Sequence, residues 1–195
     1  MNRRRFVFTV TTAAVAATLA ACGDKATSAP PTAAAAPKPS AKDVYEMAGR
    51  GSGFTVGPVM AANTVYVFFD PACPHCASLW MNAKPLANRL KMVWIPIGFL
   101  QRSSAPQGAT ILTAPDPIAA MGENEVSVLE RRGGITVSPS LSDEALAKVK
   151  ANTELFGKTG EESVPLIVYR HGKTGEYGAQ SGAVPTEQLA AMAGV

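Results

Sequence analysis

The sequence predicts an α/β domain, and three observations carry that prediction. The apolar run Thr64-Val65-Tyr66-Val67-Phe68-Phe69 leads directly into Cys73-Pro74-His75-Cys76 and a helical stretch, as a buried strand does where it turns into a helix. Met92-Val93-Trp94-Ile95-Pro96-Ile97 is a second apolar run with the character of a buried strand, and Pro96 marks its end. Leu166-Ile167-Val168-Tyr169, a turn at His171-Gly172-Lys173-Thr174-Gly175 and a short strand near Tyr177 to Gln180 make a β-hairpin.

The N-terminal elements are export and tethering signals. Arg3, Arg4 and Arg5 form a basic n-region, and Phe6 to Ala21 an apolar stretch too short for a comfortable membrane span. Arg3 to Val7 fits a twin-arginine export signal and a plain basic n-region equally. Leu19-Ala20-Ala21-Cys22 resembles the lipobox of bacterial lipoproteins, which implies removal of residues 1–21 and a lipid on the Cys22 thiol. The small residues Ala20 and Ala21 also satisfy ordinary secretory cleavage. Residues 22–42 are rich in Ala and Pro, cannot bury enough apolar surface to fold, and form a tether. A short N-terminal segment, residues 43–61, then precedes one domain at residues 62–195. The formal charge of +3 is small and three of the positives lie in the leader, so nothing argues for nucleic acid.

Within the domain a helix is expected from about Cys73 to Leu90, kinked or broken at Pro85. A helical block fills about residues 103–156, punctuated by Gly133-Gly134 and followed by Gly157. Ser140, three residues before Asp143, resembles a helix start, with Leu141, Ala145, Leu146 and Val149 on one face. A last helix runs from about Thr186 to Met192.

The chemistry is concentrated in Cys73-Pro74-His75-Cys76. The free N–H groups and dipole of a helix N-terminus stabilise a thiolate, the nucleophilic form of cysteine. Cys73 is then the exposed attacker. Cys76, one helical turn on, closes a disulfide and expels whatever Cys73 has captured. Pro74 suits a first helical turn, and a protonated His75 lowers the thiol pKa further. A structural disulfide or half of a metal site competes with this reading, but a lone C-x-x-C lacks the second pair that zinc wants. Of three cysteines one stays unpaired, and a lipid-bearing Cys22 accounts for it.

Element order and the C-P-H-C junction together resemble the thioredoxin fold, a central mixed sheet flanked by helices, with a helical insertion before the third strand. The residues Val65 to Phe69 with Asp70-Pro71-Ala72-Cys73-Pro74-His75-Cys76, Val164-Pro165-Leu166-Ile167-Val168-Tyr169, and Gly182-Ala183-Val184-Pro185 are similar to the periplasmic Dsb family, in particular the catalytic domain of DsbG and DsbC. The resemblance implies a thiol:disulfide reductase or isomerase that needs no cofactor and acts on protein disulfides or sulfenic acids. It implies a cis Pro165 against the dithiol and a Val164 backbone that holds a substrate strand. It also implies cysteine-containing cell-envelope proteins as substrates and a DsbD-like or DsbB-like membrane redox partner.

Three departures bear on direction. DsbC and DsbG carry a dimerisation domain ahead of the catalytic domain, where this sequence has about twenty residues, so a monomer is expected. Pro74-His75 and Val164 match the oxidising DsbA. The position six before Cys73, a carboxylate in thioredoxin and DsbA, is Val67, whereas Asp70 matches DsbG and DsbC. Asp70 is expected to start a turn rather than to move protons. A DsbA-like oxidase is therefore the alternative, and a Cu(I) carrier using the two thiols a non-enzymatic one. No metal site is expected otherwise. Trp80 and Trp94 are expected in the core, with His171 and Glu161-Glu162 solvated.

Overall fold

A computed structural model describes residues 37–61 and 63–195. The leader, Cys22 and the tether up to residue 36 lie outside those residues. Five strands, β1 (Phe54–Val56), β2 (Thr64–Phe69), β3 (Lys91–Pro96), β4 (Leu166–Arg170) and β5 (Tyr177–Ser181), form one sheet in the order β1-β3-β2-β4-β5. β2 and β3 are parallel; the other neighbours are antiparallel, so the sheet is mixed. The central strands are nearly continuous apolar runs because helices cover both faces.

Among the described residues six α-helices surround the sheet: α1 (Ala41–Ala48), α2 (Pro74–Ala83), α3 (Ser104–Thr113), α4 (Pro117–Leu129), α5 (Asp143–Lys158) and α6 (Thr186–Ala193). The long helix expected up to Leu90 stops at Ala83 and continues as a 3₁₀ turn, Lys84–Leu86, because Pro85 has no N–H to give to the ladder. α3, α4 and α5 fill the interval between β3 and β4.

Two elements go beyond the sequence expectation. The tether read as far as residue 42 yields to α1, whose N-cap Ser40 accepts from Asp43 N while Asp43 accepts from Ser40 N, a reciprocal capping box. α1 buries Val44 and Ala48 and sets Tyr45 edge-on against Tyr66 and Tyr177, with centroids 5.1 and 5.2 Å apart. β1 is a three-residue strand, too short to show alternation, paired at Phe54 with Trp94. The start of α5 also moves: Ser142, not Ser140, caps it by accepting from Ala145 N.

The core holds Trp94, Phe68, Phe69 and Phe156, all fully buried. Trp80 packs on Trp94 at 5.0 Å in an edge-to-face pair. The insertion is tied to the sheet by one buried amide. Asn152 Oδ1 accepts from Ser52 N at 2.8 Å, and its Nδ2 donates to Ser52 O at 2.8 Å and to Pro96 O at 2.9 Å. Asn152→Ala leaves these backbone groups without partners and is expected to lower the unfolding free energy by about 1–3 kcal/mol in urea. A loss below about 0.5 kcal/mol would show that the insertion is held by other contacts.

Candidate functional site

Cys73 is the N-cap of α2 and Pro74 its first residue, so the dithiol occupies the positive end of that helix. Both cysteines are free thiols. Pro74 and His75 are exposed, whereas Cys76 is fully buried. Cys73 corrects the expectation of an exposed attacker, since only 4 % of its surface is accessible. The loop before β4 lies against it, with Cys73 Sγ 3.6 Å from Val164 O, to which it donates in its thiol form. The Val164–Pro165 bond is cis, and Pro165 O accepts from Gly182 N at 2.8 Å. Cys22 lies outside the described residues.

The two thiols are held at opposite ends of the thiol range. The Cys73 thiol is lowered to about 6, first by the hydrogen bond that Cys76 gives it and then, against burial, by the N–H groups of Cys76 and His75 and the charge of His75. The Cys76 thiol is pushed well above its ordinary value, first by burial, then by its bond to Cys73 and by the negative charge of Cys73. At neutral pH the pair is one thiolate and one buried thiol.

Asp70 does more than start the turn. Its Oδ1 accepts from Ala72 N at 2.9 Å and from Ser104 Oγ at 2.7 Å, and its Oδ2 from Phe99 N and Leu100 N, both at 2.8 Å. Asp70 O also accepts from Cys73 N at 3.0 Å. The carboxyl thus joins the dithiol turn to the segment after β3 and to α3. This leaves Phe99 and Leu100 45 % and 49 % exposed. Ala72 and Pro74 line a cavity of about 220 Å³ with Gln101, Val128, Arg131 and Gly133.

A second buried carboxyl, Glu125 of α4, was not foreseen from the sequence. Burial raises it to about 9, with the nearby charges of Cys73 and Asp70 adding to the rise and a hydrogen bond from Asn124 opposing it. The available signal was its position: Met121, Glu125 and Val128 fall on one helical face, so a carboxyl stands in an apolar stripe. Asn124 fixes this part of α4 to the dithiol turn, donating from Nδ2 to Pro71 O at 2.9 Å and accepting at Oδ1 from Ile135 N at 2.9 Å.

His171 Nδ1 accepts from Lys173 N and Thr174 N within its turn. Glu161 accepts from Ser181 Oγ at 3.0 Å and pairs with Lys38 at 3.6 Å, so it is less free than a solvated loop residue. Among the described residues no group of three or more His, Cys, Asp or Glu side chains is arranged to hold a metal ion, and no helix is long and apolar enough to cross a membrane.

No protein-family model matches the chain. It is 28 % identical over 160 residues to the thiol:disulfide interchange protein DsbG of Pseudomonas aeruginosa, covering 80 % of this chain and 60 % of that protein. It is 26 % identical over 136 residues to DsbG of Escherichia coli, covering 67 % and 53 %. The chain therefore spans between about half and three-fifths of these relatives' lengths. Its fold is similar to the catalytic domain of Proteus mirabilis ScsC, with a TM-score of 0.58, 19 % identity and coverage of 78 % and 94 %. A disulfide interchange protein from Neisseria gonorrhoeae gives a TM-score of 0.57 at 22 % identity, covering 73 % and 93 %. With its mixed five-stranded sheet and flanking helices the chain has a thioredoxin-like fold, and over most of its length its sequence is similar to the DsbG proteins of the Dsb family.

Proposed function

We propose that this protein is an extracytoplasmic thiol:disulfide oxidoreductase of the DsbG and DsbC type, a reductase or isomerase acting on protein disulfides or sulfenic acids. The observation that carries the thiol-exchange chemistry is the division of labour within one dithiol, a Cys73 thiol lowered to about 6 beside a buried Cys76 thiol raised well above its ordinary range, and the sequence similarity to DsbG supports the reductase or isomerase direction. The Cys73 thiolate attacks a substrate sulfur, forming a mixed disulfide and releasing a thiolate, or hydroxide when the substrate is a sulfenic acid. Cys76 then attacks Cys73, the Cys73–Cys76 disulfide forms, and the substrate leaves reduced by two electrons. Val164 offers its backbone to an added substrate strand beside Pro165, and the exposed Phe99 and Leu100 offer apolar contact near the dithiol.

The leader and its lipobox support a protein anchored to a membrane through Cys22, facing the periplasm. Cysteine-containing cell-envelope proteins are its substrates, and a DsbD-like membrane protein returns electrons to it.

One observation favours a second reading, that of a DsbA-like oxidase served by a DsbB-like partner. A lowered Cys73 thiol stabilises the folded dithiol form. That stabilisation is complete above the ordinary thiol value of 9.0 and is lost as the pH falls through about 6. A stabilised dithiol makes the disulfide more oxidising.

Alkylation of the reduced protein by iodoacetamide is expected to modify Cys73 with a rate inflection near pH 6 and to spare Cys76. An inflection near 9.0 would remove the thiolate on which the mechanism depends. Cys76→Ala is expected to accumulate mixed disulfides through Cys73 with envelope proteins, and trapping through Cys73→Ala instead would reverse the two roles. Acid quenching and mass-shifting alkylation in growing cells separate the two directions: a mostly reduced pair supports the reductase or isomerase, a mostly oxidised pair the oxidase.

A further inference from the structure

When the Cys73–Cys76 disulfide is opened, Cys76 leaves as a thiolate in a position with no exposed surface. An unpaired anion there is costly, so a proton must reach it from inside the protein. Among the described residues the fully buried carboxyls are Asp70 and Glu125. Asp70 is committed, its two oxygens accepting four hydrogen bonds. Glu125 is not: Oε1 accepts from Asn124 Nδ2 at 3.3 Å, and Oε2 has no partner among the described residues. α4 packs on α2, and Asn124, next to Glu125, is bonded to Pro71 of the dithiol turn.

We propose that Glu125 is the proton carrier of Cys76, giving it a proton as the disulfide opens and taking one back as the disulfide closes. This rests on the thiol-exchange reading above and adds to it the route of the proton. In the opening direction an incoming thiolate bonds to Cys73 Sγ and the Sγ–Sγ bond breaks. Its electron pair goes to Cys76 Sγ, which takes the Glu125 proton directly or through one water; solvent then reprotonates Glu125. In closing, the Glu125 carboxylate accepts the Cys76 proton, Cys76 attacks Cys73 of the mixed disulfide, and the substrate thiolate leaves.

The acidities agree with this order. Glu125 at about 9 is neutral at physiological pH, and the Cys76 thiol lies well above its own ordinary value, so the transfer in the opening direction runs downhill. The groups whose charge acts on Glu125 are Cys73 at the start of α2 and Asp70 just after β2, and the charge of Glu125 in turn raises Cys76.

The test uses the reduced protein and an aromatic disulfide that releases a coloured thiolate. The first release reports attack by Cys73, the second resolution by Cys76. Glu125→Gln is expected to slow the second release by about 10-fold or more while leaving the first within about 2-fold. The wild-type rise of the second rate toward pH 9 should disappear in that variant, and Glu125→Asp should restore part of it. An unchanged second release in folded Glu125→Gln overturns the proposal, as does equal slowing of both releases. No release from the wild-type protein would sink the oxidoreductase reading itself. If Glu125→Gln fails to fold, carbon NMR of ¹³C-glutamate-labelled wild-type protein serves instead. One carboxyl titrating near 9 and shifting between dithiol and disulfide forms supports the proposal, and all glutamates titrating in the ordinary range overturn it.

Discussion

The arrangement around the dithiol depends on one buried carboxyl. Asp70 closes the strand that leads into the active turn, and the groups it accepts from belong to three different places in the chain: the turn itself, the segment after β3, and α3. Hydrogen bonds to a carboxylate are stronger than those between neutral groups, and a buried carboxylate is tolerated only when its oxygens are saturated. Gly98 makes the geometry possible, because a Cβ there would come within 2.6 Å of Ala105 Cβ and hold Phe99 and Leu100 away from Asp70.

The helical insertion is joined to this centre by two asparagines with complementary tasks. Asn152 of α5 links the chain before β1 to the end of β3, and Asn124 of α4 links the turn of Pro71 to the backbone at Ile135. Buried amides that satisfy backbone groups specify one register, since any slip leaves several donors and acceptors unpaired. The block between β3 and β4 is therefore part of the site's wall. It also carries Glu125, a fully buried carboxyl whose charge acts on the Cys76 thiol.

What the sequence reveals follows the strength of each physical signal. β2, β3 and β4 are legible because strands buried on both faces read as apolar runs, and Cys73 and Cys76 are legible because a dithiol at a strand–helix junction has a mechanism. The Val164–Pro165 motif is legible through family resemblance. α1 has eight residues and one capping box to announce it, and β1 has three residues, too few for a period. The start of α5 shifts from Ser140 to Ser142 because neighbouring serines offer the same cap chemistry and packing decides between them. The covering of Cys73 and the burial of Glu125 are tertiary facts. They depend on which loop lies over the turn and on which face of α4 meets α2, and local pattern carries little of either.

The near-complete covering of Cys73 has a consequence for selectivity. Thiol exchange needs the attacking sulfur to approach along the line of the target bond, so access sets its rate together with acidity. Under the proposed function, a polypeptide that added a strand beside Val164 would supply contact energy with which to open that cover. A tripeptide thiol or a small oxidant brings far less. At equal driving force, a partner that binds in this way would exchange with the dithiol faster than a small thiol. Kinetic insulation of this kind lets the redox state of a protein be set by its macromolecular partners instead of by the small molecules around it.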